Sequence, residues 1–251
     1  MNARVALVTG GARGIGAAAC RALCEQGRAV AVADLRAELA RATADELAQA
    51  GHRAVGVALD VTDGASVAAA VDEVRATLGE VDVLVSNAGW DELRAFVETD
   101  EAFWRRVVDV NYLGALQVTR ALLPGMIERG WGRVVFTASD AGRVGSSLES
   151  VYAGAKGAVI AFAKSIARET ARAGVTSNVV CPGPTQTALL DEITAGTQDA
   201  AKVIAAMTRA VPMKRLGLPA EVAAAIAFFA SEQAGFVTGQ TLSVSGGLTM
   251  A

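Results

Sequence analysis

The sequence predicts an α/β fold, a doubly wound parallel sheet of seven strands carried by a single domain over residues 1–251. Three observations predict it. Short apolar, β-branched runs alternate along the chain with longer alanine-rich stretches. Most of the short runs are apolar at consecutive positions, as strands covered on both faces require. The first run hands over to a glycine-rich turn, Thr9-Gly-Gly-Ala-Arg-Gly-Ile-Gly16, that opens a helical stretch.

Taken in order, VALVT gives a strand at 5–9, and the alanine-rich run after the glycines gives a helix near 14–27. AVAVAD gives a strand at 29–34, followed by a helix near 36–50. A strand at 53–59 and a helix near 63–78 repeat the unit, and VDVLVS supplies the fourth strand at 81–86. One long helix is expected over 101–129, then a strand at 133–137, a helix near 150–173 and a strand at 175–180. Pro182-Gly-Pro184 breaks the chain there, and a mixed stretch leads to Pro219, which suits the first turn of a helix near 219–230. A last strand is expected at 241–244. The long excursion, a substrate-loop region at about 184–217, reads as a lid or binding loop, or as a surface insertion with helix of its own.

Composition narrows the function classes. The 251 residues are 52% apolar and 20% charged, enough for a large core and unlike a disordered chain. A net charge of -3 gives no footprint for nucleic acid and no general attraction to an anionic membrane, and no run is apolar enough to span a bilayer. Cys20, Cys24 and Cys181 form no metal-ligand pattern and read as small buried residues, so no metal is expected. The chain enters a strand pattern at once, without a charged leader, so a cytoplasmic location is expected. His52 is the one histidine and lies in a turn, which moves any acid–base role to Tyr, Lys or carboxylates.

Residues with chemical potential collect where strands end. Gly10, Gly14 and Gly16 permit a tight turn and close approach of backbone to a pyrophosphate, and the helix N-terminus behind them supplies free N–H groups and a positive dipole end. Their spacing, Gly-x-x-x-Gly-x-Gly, differs from the commoner Gly-x-Gly-x-x-Gly. Asp34, about twenty residues on, accepts hydrogen bonds from ribose hydroxyls and repels a 2′-phosphate, so NAD(H) is expected over NADP(H). Arg13 pulls the other way, as a partner for that phosphate or as a solvated loop charge. Asp60 and Val61 follow the third strand and are expected to close an adenine pocket, and Asn87-Ala88-Gly89 follows the fourth. Ile15 and Leu35 belong to the same ligand edge.

A second group follows the fifth strand. Ser139 precedes Tyr152 and Lys156, which share a helix face at four-residue spacing. A Lys ammonium beside a phenol favours the phenolate, so Lys156 is expected to lower the Tyr152 pKa and suit it to proton exchange with an alcohol or ketone. Asn111, inside the long helix, reads either as a locally bonded polar residue or as the site of a kink whose carbonyl holds a water. Ser139 and Tyr152 are expected to hold a ketone oxygen while Tyr152 gives its proton, with Asn111 anchoring a relay to solvent.

These motifs, in this order and spacing, resemble the short-chain dehydrogenase/reductase family along the whole chain. Its hallmarks here are the glycine loop, Asn87-Ala-Gly, Asn111, Ser139, Tyr152-x-x-x-Lys156 and Pro182-Gly183. The resemblance implies a Rossmann-type fold, a nicotinamide cofactor and the Ser-Tyr-Lys-Asn roles above, with Tyr152 and Lys156 also touching the cofactor. It implies that Thr185 and Thr187, with Pro182 and Gly183, contact the nicotinamide end, and that the protein is a homotetramer. Ser86, where the family usually has Asn, departs from the pattern at a position of local packing. The segments around 87–91, 138–147, 180–190 and 235–250 are similar to family members that oxidise cyclic 2-hydroxyacyl-CoA thioesters. For such a CoA thioester, Trp90 is a candidate flat wall and Arg143 a candidate contact for a phosphate or carboxylate, the alternatives being packing and a surface ion pair. The competing expectations are a 3-oxoacyl-carrier-protein or general ketone reductase, and a non-catalytic dinucleotide sensor.

Overall fold

A computed structural model describes residues 3–195 and 199–250; positions 196–198 of the expected substrate loop lie outside the described residues. Strands β1 (Val5–Thr9), β2 (Ala29–Asp34), β3 (Ala54–Ala58), β4 (Val81–Ser86), β5 (Gly132–Thr137), β6 (Val175–Pro182) and β7 (Thr241–Val244) make one sheet in the order β3-β2-β1-β4-β5-β6-β7. Every neighbouring pair is parallel. The order reverses between β1 and β4, the crevice where open α/β sheets take their ligands.

Helices α1 (Gly14–Glu25), α2 (Ala37–Gln49), α3 (Gly64–Thr77), α4 (Glu101–Val108), α5 (Gly114–Glu128), α6 (Ala141–Val144), α7 (Ser150–Thr170), α8 (Ala188–Ala195), α9 (Ala200–Ala210) and α10 (Pro219–Phe229) complete the described architecture. Two cores follow from the period of two along each strand. Leu7, Ala31, Leu84 and Phe136 face α3, α5 and α7, whereas Ala6, Val8, Val30 and Val32 face α1, α2 and α10. Both faces are covered, which is why the strand sequences show continuous apolar runs instead of alternation. Phe136 is fully buried and packs edge-on to Phe162 at 5.7 Å, so truncating it to Ala costs about 3–5 kcal/mol.

One expectation is corrected, and two stretches gain detail. The long helix expected over 101–129 is broken by a π-helical segment, Asp109–Leu113, which carries Asn111 and joins α4 to α5. The widened turn frees the Asn111 side chain to bond outside its own helix, a use to which such bulges are often put. The excursion after Pro182 holds α8 and α9, the second started by Asp199, whose carboxylate accepts from the Lys202 N–H at 3.0 Å. A short helix, α6, also fills the stretch between Ser139 and Tyr152 that carried no expectation.

Candidate active site at the carboxyl edge of the sheet

The carboxyl ends of β1, β2, β4, β5 and β6 open into a cleft of about 1140 Å³ that reaches from Asp34 to Tyr152 and is roofed by α8 and α9. At its β1 end the chain turns with Gly10 at φ +61°, a region that a side chain would strain. A Cβ on Gly16 would stand 2.0 Å from the Gly10 carbonyl oxygen and 2.8 Å from Asn87 Nδ2, so only glycine lets α1 begin this close to the turn. No side chain caps the N-terminus of α1, and its first N–H groups are left for a ligand. That uncapped cradle, with Gly14 and Ile15 on the cleft wall, fits a pyrophosphate.

Asn87 and Thr9 lock the cradle in place. Asn87 Nδ2 donates to the carbonyls of Thr9 and Gly10 at 3.2 and 3.1 Å, and the Thr9 hydroxyl accepts the Asn87 and Ala88 N–H groups, both at 3.0 Å. Asp34 is buried at 7% exposure and spans two turns: Oδ2 accepts the Ala12 N–H at 3.2 Å and Oδ1 accepts the Arg36 N–H at 3.1 Å. Arg36 Nε stands 3.7 Å from the same carboxylate. Arg13 lines the cleft, but its guanidinium forms a two-armed pair with Glu192 of α8, one arm at 2.9 Å. Its charge therefore latches the roof to the glycine loop instead of lying free for a phosphate. Leu35, exposed, lies on the cleft wall with Asp60 and Val61. The Asp60 carboxylate is already committed to the Thr62 N–H and hydroxyl at 2.8 and 2.7 Å. Pro182, Gly183, Thr185 and Thr187 line the other end, where the Thr187 hydroxyl accepts the Leu190 N–H at 3.2 Å and so starts α8.

Ser139, Tyr152 and Lys156 meet on the cleft floor between these ends. The Ser139 hydroxyl bonds the Tyr152 phenol and also accepts the Ala141 N–H at 3.1 Å. Lys156 is buried at 3% exposure and donates to the Thr137 carbonyl at 3.1 Å, with Nζ 5.5 Å from the Tyr152 ring centre. The expected lowering of the phenol by Lys156 is not what this geometry gives. Burial holds the Tyr152 phenol well above its ordinary range, the Asp91 and Glu149 carboxyls push the same way, and only the Ser139 bond opposes them. Burial also brings the Lys156 ammonium down to about 8. The lysine is turned toward β5, where it donates to the Thr137 carbonyl, and it does not offset the burial and the carboxyls that raise the phenol.

Asn111, 2% exposed, spends its side chain on the loop after β4: Nδ2 donates to the carbonyls of Trp90 at 2.7 Å and Val107 at 2.9 Å, and Oδ1 accepts the Trp90 N–H at 3.3 Å. That clamp, with Gly89 beside it, places Trp90 in the wall of the cleft, packed with Tyr152 around Phe103. The Arg106 guanidinium lies 3.7 Å over the Trp90 ring and has no carboxylate partner among the described residues. Arg143 does not join the site. Its Nη1 donates to the Ser243 hydroxyl of β7 at 2.6 Å, and Ser243 bonds Asp140, so α6 is tied to the sheet and the guanidinium is drawn away from the cleft. Reasoning from the sequence passed over Thr9, Arg36, Arg106, Asp91 and Glu149. Their spacing carries no periodic signal, because a strand end, a loop, one helix and the caps of two others bring them to the cleft or next to it.

Comparison with known proteins agrees along the full length. A family model described as enoyl-(acyl carrier protein) reductase matches residues 10–249. The chain is 43% identical to cis-4-hydroxycyclohexanecarboxylate dehydrogenase of Sinomonas cyclohexanicum over 247 residues, 98% of this chain and 96% of that one. It is 40% identical to nodulation protein G of Azospirillum brasilense over 249 residues, 99% of each chain. It is 36% identical to the 3-oxoacyl-[acyl-carrier-protein] reductase FabG of Escherichia coli over 251 residues, 98% of each.

Proposed function

The chain belongs to the short-chain dehydrogenase/reductase family of oxidoreductases, and we propose that it interconverts a secondary alcohol and a ketone with NAD(H), on a cyclic hydroxy acid or its CoA thioester of the 2-hydroxycyclohexanecarboxyl-CoA type. The observation that carries this reading is the convergence of Ser139, Tyr152 and Lys156 on one point of a cleft whose far end is an uncapped glycine cradle beside a buried Asp34.

A nicotinamide dinucleotide, when bound, supplies or accepts the hydride. Gly10, Gly14, Ile15 and Gly16 would hold its pyrophosphate, Asp34 and Leu35 its adenosine ribose, and Asp60 and Val61 the adenine. Asn87, Ala88, Gly89, Pro182, Gly183, Thr185 and Thr187 would surround the nicotinamide end. Ser139 donates to the substrate carbonyl oxygen and orients it toward the Tyr152 hydroxyl. Tyr152, protonated in this cleft, gives its proton to that oxygen during reduction and takes it back during alcohol oxidation. Lys156 would bond the nicotinamide ribose from its place beside Thr137. Asn111 positions the Trp90 peptide, and the widened helical turn it occupies is where a water relay to solvent would start.

Trp90 offers a flat ring to a cyclic substrate, and the unpaired Arg106 on that ring favours an anionic arm. The 43% relative named for a hydroxycyclohexanecarboxylate supports the same class. The 36% relative named as a 3-oxoacyl-carrier-protein reductase favours a second reading, a β-ketoacyl reductase. A homotetramer in the cytoplasm belongs to the proposal, and the exposed Phe236 and Met250, which flank β7 in the sequence, support association.

The test is an NAD⁺ reduction screen over cyclic hydroxy acids, their CoA thioesters and simple secondary alcohols, with Tyr152→Phe as control. Turnover of a cyclic acid or thioester, lost in Tyr152→Phe, is the expected result. Turnover only of acyl-chain β-ketoacyl substrates with NADPH selects the second reading. Undiminished turnover in Tyr152→Phe refutes the catalytic assignment.

A further inference from the structure

Asp91 follows Trp90 and is 5% exposed, yet neither carboxylate oxygen has a well-aligned donor among the described residues, and the Glu92 N–H is the one donor near enough to favour its ionised form. The group it faces is another carboxyl, Glu149, at the N-cap of α7 three residues before Tyr152. Glu149 does not use its side chain to cap the helix; that side chain instead accepts from Ser146. The two loops are stitched together where the Arg94 N–H donates to the Leu148 carbonyl at 2.9 Å, and the Asn111 clamp fixes the residue before Asp91. The facing is therefore built in at both ends. Two ionised carboxylates offer only acceptors and repel, so the buried Asp91 facing the half-exposed Glu149 is best satisfied with a proton between them.

We propose that Asp91 and Glu149 share one proton, and that this carboxylic acid–carboxylate pair is a positioning unit that sets the charge seen by Tyr152 and Lys156. The inference rests on the reading of Tyr152 as the acid–base group. The other charges around the pair do not remove the need for the proton. On its own loop, Glu92 pairs with Arg94. On α8, Glu192 borders the same small cavity of about 270 Å³ but is held by Arg13. On α4, Arg106 stacks on the far side at Trp90. On α7, Lys156 is the cation within electrostatic reach of Asp91, and burial has weakened it. Burial, then Glu149, pushes the Asp91 carboxyl up to about 8. The cavity beside Asp91, lined also by Leu93 and Ile193, is roomy enough for water and lets the pair equilibrate with solvent.

The consequence is a charge setting. With one proton on the pair, a single negative charge faces the phenol. Loss of that proton adds a second negative charge, which disfavours the phenolate and holds the Lys156 ammonium. The pair therefore keeps Tyr152 a proton donor and raises the pH at which it serves as a base.

Two measurements test this. Infrared difference spectra of the free protein, wild type minus Asp91→Asn, should show the carbonyl stretch of a neutral carboxylic acid near pH 7 that disappears above about pH 8. In Glu149→Gln the same band should titrate at lower pH. In parallel, the rising limb of kcat for alcohol oxidation, on which Tyr152 becomes the base, should move down by about one pH unit in Asp91→Asn and in Glu149→Gln. Absence of a neutral-acid band in the wild type overturns the proposal, as do unmoved limbs in both variants. Should Asp91→Asn not fold, the more exposed Glu149→Gln carries both measurements. Tyr152→Phe separates the two levels: if it still turns over, the acid–base reading fails, while the infrared band continues to decide the proton sharing.

Discussion

Replacing Asp34 by Asn tests the cofactor choice at one carboxylate. In NADP the 2′-phosphate would take the place of the ribose hydroxyl that Asp34 faces. Two unit charges about 4 Å apart repel by roughly 1 kcal/mol in bulk water and roughly 4 kcal/mol at the effective screening of a protein surface. Asp34 is only 7% exposed, which favours the upper figure, but its oxygens already take the Ala12 and Arg36 N–H groups at 3.2 and 3.1 Å, which spreads the charge. About 2–3 kcal/mol remains, or roughly a 30- to 150-fold change in the ratio of kcat/KM for NADP⁺ to that for NAD⁺. The substitution also releases Arg36, now 3.7 Å from the carboxylate, to meet the phosphate, which adds to the shift toward NADP⁺. Steady-state kinetics with one alcohol and both cofactors measure the ratio directly. Activity with NAD⁺ should fall about fivefold, because a neutral amide accepts from the ribose hydroxyl more weakly than a carboxylate. An unchanged ratio in Asp34→Asn would refute the reasoning, and so would a wild-type enzyme that already prefers NADP⁺.

Four further outcomes are expected. Gly16→Ala forces the cradle apart against the Gly10 carbonyl and should weaken dinucleotide binding by about 1–3 kcal/mol in a fluorescence titration, with the fold retained by circular dichroism. Arg143→Ala removes only the tie to Ser243, so stability should drop by about 1 kcal/mol while KM for an acyl-CoA substrate stays unchanged; a raised KM would return Arg143 to the substrate site. Asn111→Ala leaves the Trp90 N–H and carbonyl without their partner and should cost about 1–3 kcal/mol in urea unfolding, with loss of activity beyond what reduced stability explains. Asp91 takes up a proton on folding, since its carboxyl is raised to about 8. Wild-type stability should therefore fall as pH rises from the ordinary aspartate range to about 8, and Asp91→Asn should flatten that fall in melting curves.

The sequence by itself determined the layered fold and the line of the ligand edge. Continuous apolar strands alternating with helices admit few arrangements, so the seven parallel strands and the position of the glycine turn after the first of them were legible from period and punctuation. Residues tied to strand ends or to one helix face, such as Gly16, Asp34, Tyr152 and Lys156, were legible for the same reason: a local rule places them. Tertiary structure alone decided what those side chains meet. The π-helical turn at Asn111, the turn of Arg143 toward β7, the Arg13–Glu192 latch and the facing of Asp91 and Glu149 each join residues far apart in the chain or separated by irregular loops. The protonation of the site belongs to the same class. Spacing put a lysine beside a tyrosine, but burial and two carboxyls from neighbouring loops set the phenol, because desolvation depends on the whole fold around it.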